Sequence, residues 1–140
     1  MSDIERLFIG RIKVQETTQQ EGQRPVTNTT DSLDCDLPEE YKGKTVKEVV
    51  DYTIQSATAK EQMLADTIGS VMKEFGREAD PLLKKSLVCE LNGKPVSLDT
   101  VISNHVLVDT DIQIGSEHYT GDLVQISFLK NIVVACGMHL

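Results

Sequence analysis

Gly121–Leu140 reads GDLVQISFLKNIVVACGMHL. Chain ends are ordinarily polar and frayed, yet this is the most apolar run of the sequence, with Lys130 the only charge after Asp122. Burying one large aliphatic side chain gains roughly 1.5–3 kcal/mol, so Val124, Ile126, Phe128, Leu129, Ile132, Val133 and Val134 require cover. Gly121-Asp122 reads as a turn into a strand from Leu123 to about Leu129. Lys130-Asn131 interrupts the run, and Ile132 to Ala135 is one more strand or an interface segment. The fold therefore turns on whether Ile132, Val133 and Val134 bury themselves in their own sheet or in a neighbour's.

The next strongest pattern lies upstream. Val46, Val50, Ile54, Ala57, Leu64, Ile68, Val71 and Phe75 recur at steps of three and four, with one apolar slot missed at Glu61. This stripe predicts an amphipathic helix over 45–75. Thr45 is its expected N-cap, with Glu48 three residues on as capping-box partner, and Gly76 and Pro81 bound it at the other end. A helix of about thirty residues spans about 45 Å at 1.5 Å per residue, more than the width of a small sheet. It is therefore one helix that overhangs or two joined near residue 58, where Ser56-Ala57-Thr58 is weakly helical.

Strands account for most of what remains. Leu7–Val14 (LFIGRIKV) alternates imperfectly around Gly10, and Leu33, Cys35 and Leu37 alternate with Asp34 and Asp36 before Pro38. Asn92-Gly93 between apolar runs is a strong hairpin signal. Val101–Val108 and Asp111–Ile114 supply further strands. The order of strands, one helical region and more strands predicts a single α+β domain over 1–140, its mostly antiparallel sheet packed on one long or broken amphipathic helix at 45–75. Residues 15–32 (QETTQQEGQRPVTNTTDS) hold little that is apolar and read as a polar, flexible arm or loop.

Composition removes several functions. Of 140 residues 39% are hydrophobic and only 4% aromatic, without tryptophan, so stacking platforms for bases are not expected. The formal net charge is −8 and the Lys and Arg residues are scattered, which argues against a phosphate-tracking or anionic-membrane surface. MSDIERLFIG has no signal-peptide character, no run of 18 apolar residues exists, and three unclustered cysteines suit free thiols in a cytoplasmic setting.

The order of strand 7–14, strand 33–37, helix 45–75, strand 87–91, the Asn92-Gly93-Lys94 turn and strand 123–129 resembles the ubiquitin-like β-grasp, and Gly121–Ile126 resembles the entry to the last strand of its small sulphur-carrier members. That resemblance implies a terminal Gly-Gly tail that is adenylated and then conjugated or thiolated. Here Gly137 stands alone, preceded by Cys136 and followed by Met138-His139-Leu140, so a modifier or carrier would require trimming after Gly137.

Chemistry-bearing residues form no recognised motif. Cys136 and His139 have a Cys-x-x-His spacing suited to zinc, but a structural site needs four ligands and Cys35, Cys89, His105 and His118 are scattered. Asp109, Asp111 and Glu117 lack the spacing of a calcium loop. Cys89 and Cys136 sit in apolar runs with no basic neighbour to stabilise a thiolate. No glycine-rich phosphate cradle is present. No catalytic residue, metal site or cofactor is therefore assigned. The expectation is a non-enzymatic interaction or assembly subunit, binding a protein partner or itself through Val50, Ile54, Leu64, Ile68, Val71 and Phe75 on the helix and Ile132, Val133 and Val134 on the last strand. The alternatives are a modifier processed after Gly137 and a small enzyme or accessory subunit with Asp109, Asp111, Glu117 and His118 in a turn.

Overall fold

Apolar side chains at even positions along residues 8–14 and 124–128 set the layers of the fold. In the computed structural model, which describes residues 6–20, 22–75 and 83–134, these two segments lie side by side. The elements are β1 (Leu7–Gln20), β2 (Val26–Thr29), β3 (Leu33–Asp36), α1 (Val46–Gln55), α2 (Gln62–Glu74), β4 (Leu83–Leu91), β5 (Lys94–Val96), β6 (Leu107–Ile114) and β7 (Glu117–Val134), with 3₁₀ turns at Glu39–Gly43, Ala59–Glu61 and Ile102–His105. No helix among them is long and apolar enough to cross a membrane.

The sheet has the order β2-β1-β7-β4-β5, with β3 also pairing β1 and β6 also pairing β7. β1 and β7 run parallel in unbroken register from Leu7↔Gly121 to Gln20↔Val134. β4 lies antiparallel on the other side of β7, from Leu91↔Ile126 to Leu83↔Val134. β7 is thus the central strand. Phe8, Ile12, Val14, Val124, Ile126 and Phe128 face the helices and join Val46, Val49, Val50, Ala65, Ile68 and Val71 in one core. Phe75 closes it edge-on against Phe128, with ring centres 5.6 Å apart. A smaller cluster of Ile9, Ile112 and Leu123, with Leu7 against it, occupies the opposite face.

One part of the expected architecture needs correction. The sheet is mixed rather than mostly antiparallel, because its longest pairing is the parallel one. Alternation tells which face a side chain takes but not which way its neighbour runs. Of the two forms expected for the helical layer, the structure has the broken one: α1 stops at Gln55, and a 3₁₀ turn after Thr58 leads into α2 at Gln62. Thr58 donates Oγ1–H to Glu61 Oε1 at 2.9 Å, and its N–H bonds the same oxygen at 3.0 Å. This second capping box makes the break. The first stands at Thr45 and Glu48 as expected. In broad terms the fold is α+β.

The last strand answers the question its sequence poses. Ile132 pairs with Thr18 and Lys85, Val134 pairs with Gln20 and Leu83, and both are buried. Val133 is 44% exposed. The segment expected as a polar arm over 15–32 is paired backbone for much of its length. Gln15–Gln20 complete β1, and Gln15–Thr18 pair antiparallel with Val26–Thr29.

β1 and β7 approach closely at Gly121. A Cβ there would overlap the Leu7 carbonyl oxygen, so the register of the central pair depends on the missing side chain. Gly121→Ala is expected to lower stability by at least about 2 kcal/mol, read as a fall in urea midpoint. Gly43→Ala, with no heavy atom within 4 Å of its added Cβ, should stay within about 0.5 kcal/mol of the parent.

Candidate functional site

The central strand carries one charge into the interior. Asp122 lies on the helix-facing side of β7, its side chain 2% exposed. Arg6 Nη2 donates to Oδ1 at 2.7 Å, Lys42 Nζ to Oδ2 at 2.7 Å, and the Asp109 N–H to Oδ1 at 3.2 Å. Burial alone would raise this carboxyl. The hydrogen bonds from Arg6 and Lys42, joined by the Asp109 N–H, outweigh it and hold the group down to about 2. Arg6 also reaches Asp109 at 2.6 Å. Lys42 bonds Glu39 at 2.8 Å and stands 5.1 Å over the Phe8 ring. One carboxylate thereby ties together the start of β1, the 3₁₀ turn at 39–43 and the β6 bulge, where Asp109 takes a φ of 52°. A cleft of about 360 Å³ lies beside it, lined by Arg6, Leu7, Phe8, Leu37, Glu39 and Asp122.

From this anchor the β6–β7 hairpin runs on beyond β1. Its register goes from Thr110↔Gly121 to Ile114↔Glu117, after a bulge between Leu107 and Thr110. The hairpin curls onto the face away from the helices. Ile112 is buried against Ile9 and Leu123. Arg11, bonded to Asp34 at 2.9 and 3.0 Å, also donates to the Gln113 carbonyl at 2.8 Å. By the alternation of the ladder, Leu107, Ile114 and Tyr119 share the face of Ile112, and all three are exposed. Among the described residues, eight large apolar side chains are exposed, and five of them (Val101, Leu107, Val108, Ile114 and Tyr119) fall between residues 101 and 119. Asp109, Asp111 and Glu117 rim this strip with negative charge.

A second clip holds the approach to β6 at that same end. The two-residue Asn92-Gly93 turn joins β4 to β5, with Leu91 opposite Lys94. Asn92, at φ 48°, donates its N–H to the Gln125 carbonyl at 2.8 Å and accepts the Gln125 N–H on Oδ1 at 3.0 Å. Its Nδ2 donates to the His105 carbonyl. The sequence marks Asn92 as a turn residue, and nothing in its spacing announces these bonds to β7. Asp122 is missed in the same way, since Gly-Asp reads as a turn.

The residues singled out by sequence fall into separate places. Val50, Ile68 and Val71 are buried in the core, and Ile54, Leu64 and Phe75 are half-buried against it. Ile132 and Val134 are inside the chain's own sheet. The apolar helix face is therefore covered by the sheet, and half of the large apolar side chains left exposed among the described residues (Leu107, Val108, Ile114 and Tyr119) belong to the hairpin. Between the helices a groove of about 680 Å³ remains, lined in part by Ile54, Ala65, Gly69, Met72 and Phe75. Asp109 is engaged by Arg6 and Asp122. Asp111 bonds His118 Nδ1 at 2.9 Å, and the Tyr119 hydroxyl donates to Glu117. Among the described residues no three His, Cys, Asp or Glu side chains gather to hold a metal ion. Burial pushes the Cys89 thiol up to about 12, aided by the charge of Glu90, which suits inert packing. Cys136, Gly137 and His139 lie outside the described residues.

The Asp122 cluster sets an acid limit on stability. Its folded-state value lies below its ordinary one of 3.8, so its contribution is fully present above about pH 4 and is lost as pH falls toward 2. Asp122→Asn is expected to cost about 2 kcal/mol at pH 7. The gap to the parent should close between pH 4 and 2, measured as urea midpoints across that range. No protein-family model, curated protein or solved structure matches this chain.

Proposed function

We propose that the chain is a non-enzymatic interaction subunit that assembles with a protein partner or with itself, presenting the β6–β7 hairpin as a docking surface. The observation that carries this reading is the concentration of exposed apolar side chains on an element held rigidly at its base. Leu107, Ile114 and Tyr119 continue outward from the buried Ile112 cluster, and Asp122 and Asn92 pin the strands on either side. Monomeric proteins rarely expose contiguous apolar area of this kind without a use for it. The acidic rim, in a chain of net charge −8, favours a partner with an apolar groove bordered by Lys or Arg and disfavours nucleic acid and anionic membranes. Free Cys35 and Cys89 suit a reducing, cytoplasmic setting.

The order β2-β1-β7-β4-β5, with the helical layer between the first strands and β4, supports kinship with the ubiquitin-like β-grasp. Architecture of that kind serves many functions and does not choose among them. The test is recovery of the tagged chain from its native host, with native mass measured for the parent and for Ile114→Lys/Tyr119→Lys. The parent is expected in a complex heavier than its own 15.5 kDa, and the double variant is expected to lose that complex while keeping its fold by circular dichroism. A parent recovered only as free chain, or a complex indifferent to both substitutions, overturns the reading.

A further inference from the structure

The sheet has several free edges, and they are not treated alike. β5 carries Lys94 and Pro95, β3 carries Asp34 and Asp36, and β6 carries Asp109 and Asp111. Charges and prolines of this kind keep a strand edge from pairing with another chain. β2 has neither. Val26-Thr27-Asn28-Thr29 is uncharged, and all four residues are exposed. The Thr30 N–H bonds the Val14 carbonyl at 2.9 Å. By the alternation of an antiparallel ladder, Val26 and Asn28 turn their main-chain groups toward β1, while Thr27 and Thr29 turn theirs outward. The segment Thr27-Asn28-Thr29 also reads the same in both directions.

From these features we infer that β2 is a self-pairing edge: two copies of this chain join β2 to β2 antiparallel about a twofold axis at Asn28, making one continuous sheet. The inference rests on the assembly reading above and adds to the hairpin a second surface, whose occupant is another copy of the chain. In this register Thr27 of each copy faces Thr29 of the other, and about four main-chain hydrogen bonds form between the outward-turned groups. A twofold interface must be complementary to itself, and the palindrome meets that condition. Thr17 and Thr27 already share a hydroxyl hydrogen bond of 3.0 Å across β1 and β2, and the Thr27–Thr29 pairs continue this threonine row into the second copy. The flanking charges agree as well. Asp31 comes opposite Pro25 of the other copy, beside its Arg24, so two opposite-charge pairs border the joined strands. For a chain of net charge −8, an uncharged contact strand with Arg24 at its margin is the part of the edge best able to accept a second copy.

The experiment is sedimentation equilibrium of the full chain across the micromolar to millimolar range, with Asn28→Lys, Asn28→Asp and Thr27→Pro. The parent should approach twice the mass of its 15.5 kDa chain. Asn28→Lys and Asn28→Asp, which set like charges face to face on the axis, should each stay monomeric, and an equimolar mixture of the two should recover the dimer. Thr27→Pro, which removes an outward N–H, should be monomeric with unchanged circular dichroism. Recovery in the mixture shows that the single variants are folded, so their failure to pair is not loss of structure. A parent that stays monomeric throughout overturns the inference and leaves the hairpin to its own native-host test. Dimers of all three variants that dissociate only with Ile114→Lys/Tyr119→Lys overturn it in favour of self-association through the hairpin.

Discussion

Everything in this molecule hangs on the parallel pairing of β1 with β7. It unites residues more than a hundred positions apart in fourteen consecutive register pairs. β2 and β3 attach to β1, and β4 and β6 attach to β7, so no other strand reaches the sheet except through these two or through β4. The pairing also decides the core. Once Ile12 lies beside Ile126 and Val14 beside Phe128, the even-numbered side chains of both strands form one apolar floor, and α1 and α2 have a single place to settle. Gly121 marks the point where a side chain would meet the β1 backbone, and beyond it β7 continues with β6 alone.

A buried carboxylate at that same point does the work of orientation. Hydrophobic burial is non-directional and does not tell a hairpin where to point. Asp122 supplies direction, because a desolvated charge tolerates only an arrangement that brings donors to both its oxygens. Arg6, Lys42 and the Asp109 N–H meet that demand from three separate parts of the chain. Asn92 does the same for the turn between β4 and β5 using neutral hydrogen bonds. The hairpin's apolar outer face is thus held out by polar contacts at its root.

The sequence made legible those features that depend on local pattern. The helical stripe, the Thr45 capping box and the Asn92-Gly93 turn are each written in a few neighbouring residues. The break between α1 and α2 was legible too, since Thr58 and Glu61 have the same spacing as Thr45 and Glu48, yet Glu61 reads first as a gap in the apolar stripe. What local pattern does not carry is pairing at a distance. Strand direction across β1 and β7 leaves no trace in alternation, which is why the sheet was expected to be mostly antiparallel. The same limit hid the polar residues 15–20, whose strand is imposed by β7 rather than by their own side chains, and made Gly121-Asp122 look like a turn. For the candidate site, the acidic residues of the hairpin were visible individually. That Leu107, Ile114 and Tyr119 share an outward face became visible only with the register.

The central pairing also governs the order of events as the chain is made. β1 leaves the ribosome well before its partner β7, which follows only after both helices and five further strands. Until then one edge of β1 has β2 and β3 for company, and the main-chain groups of the other edge lack a strand to bond. Contacts of such long sequence separation close slowly, because the entropy of the loop is surrendered before the contacts form. The nascent chain therefore carries its future central pairing unmade until β7 emerges, and a factor that shields unpaired strands would matter more to its yield than to the finished fold.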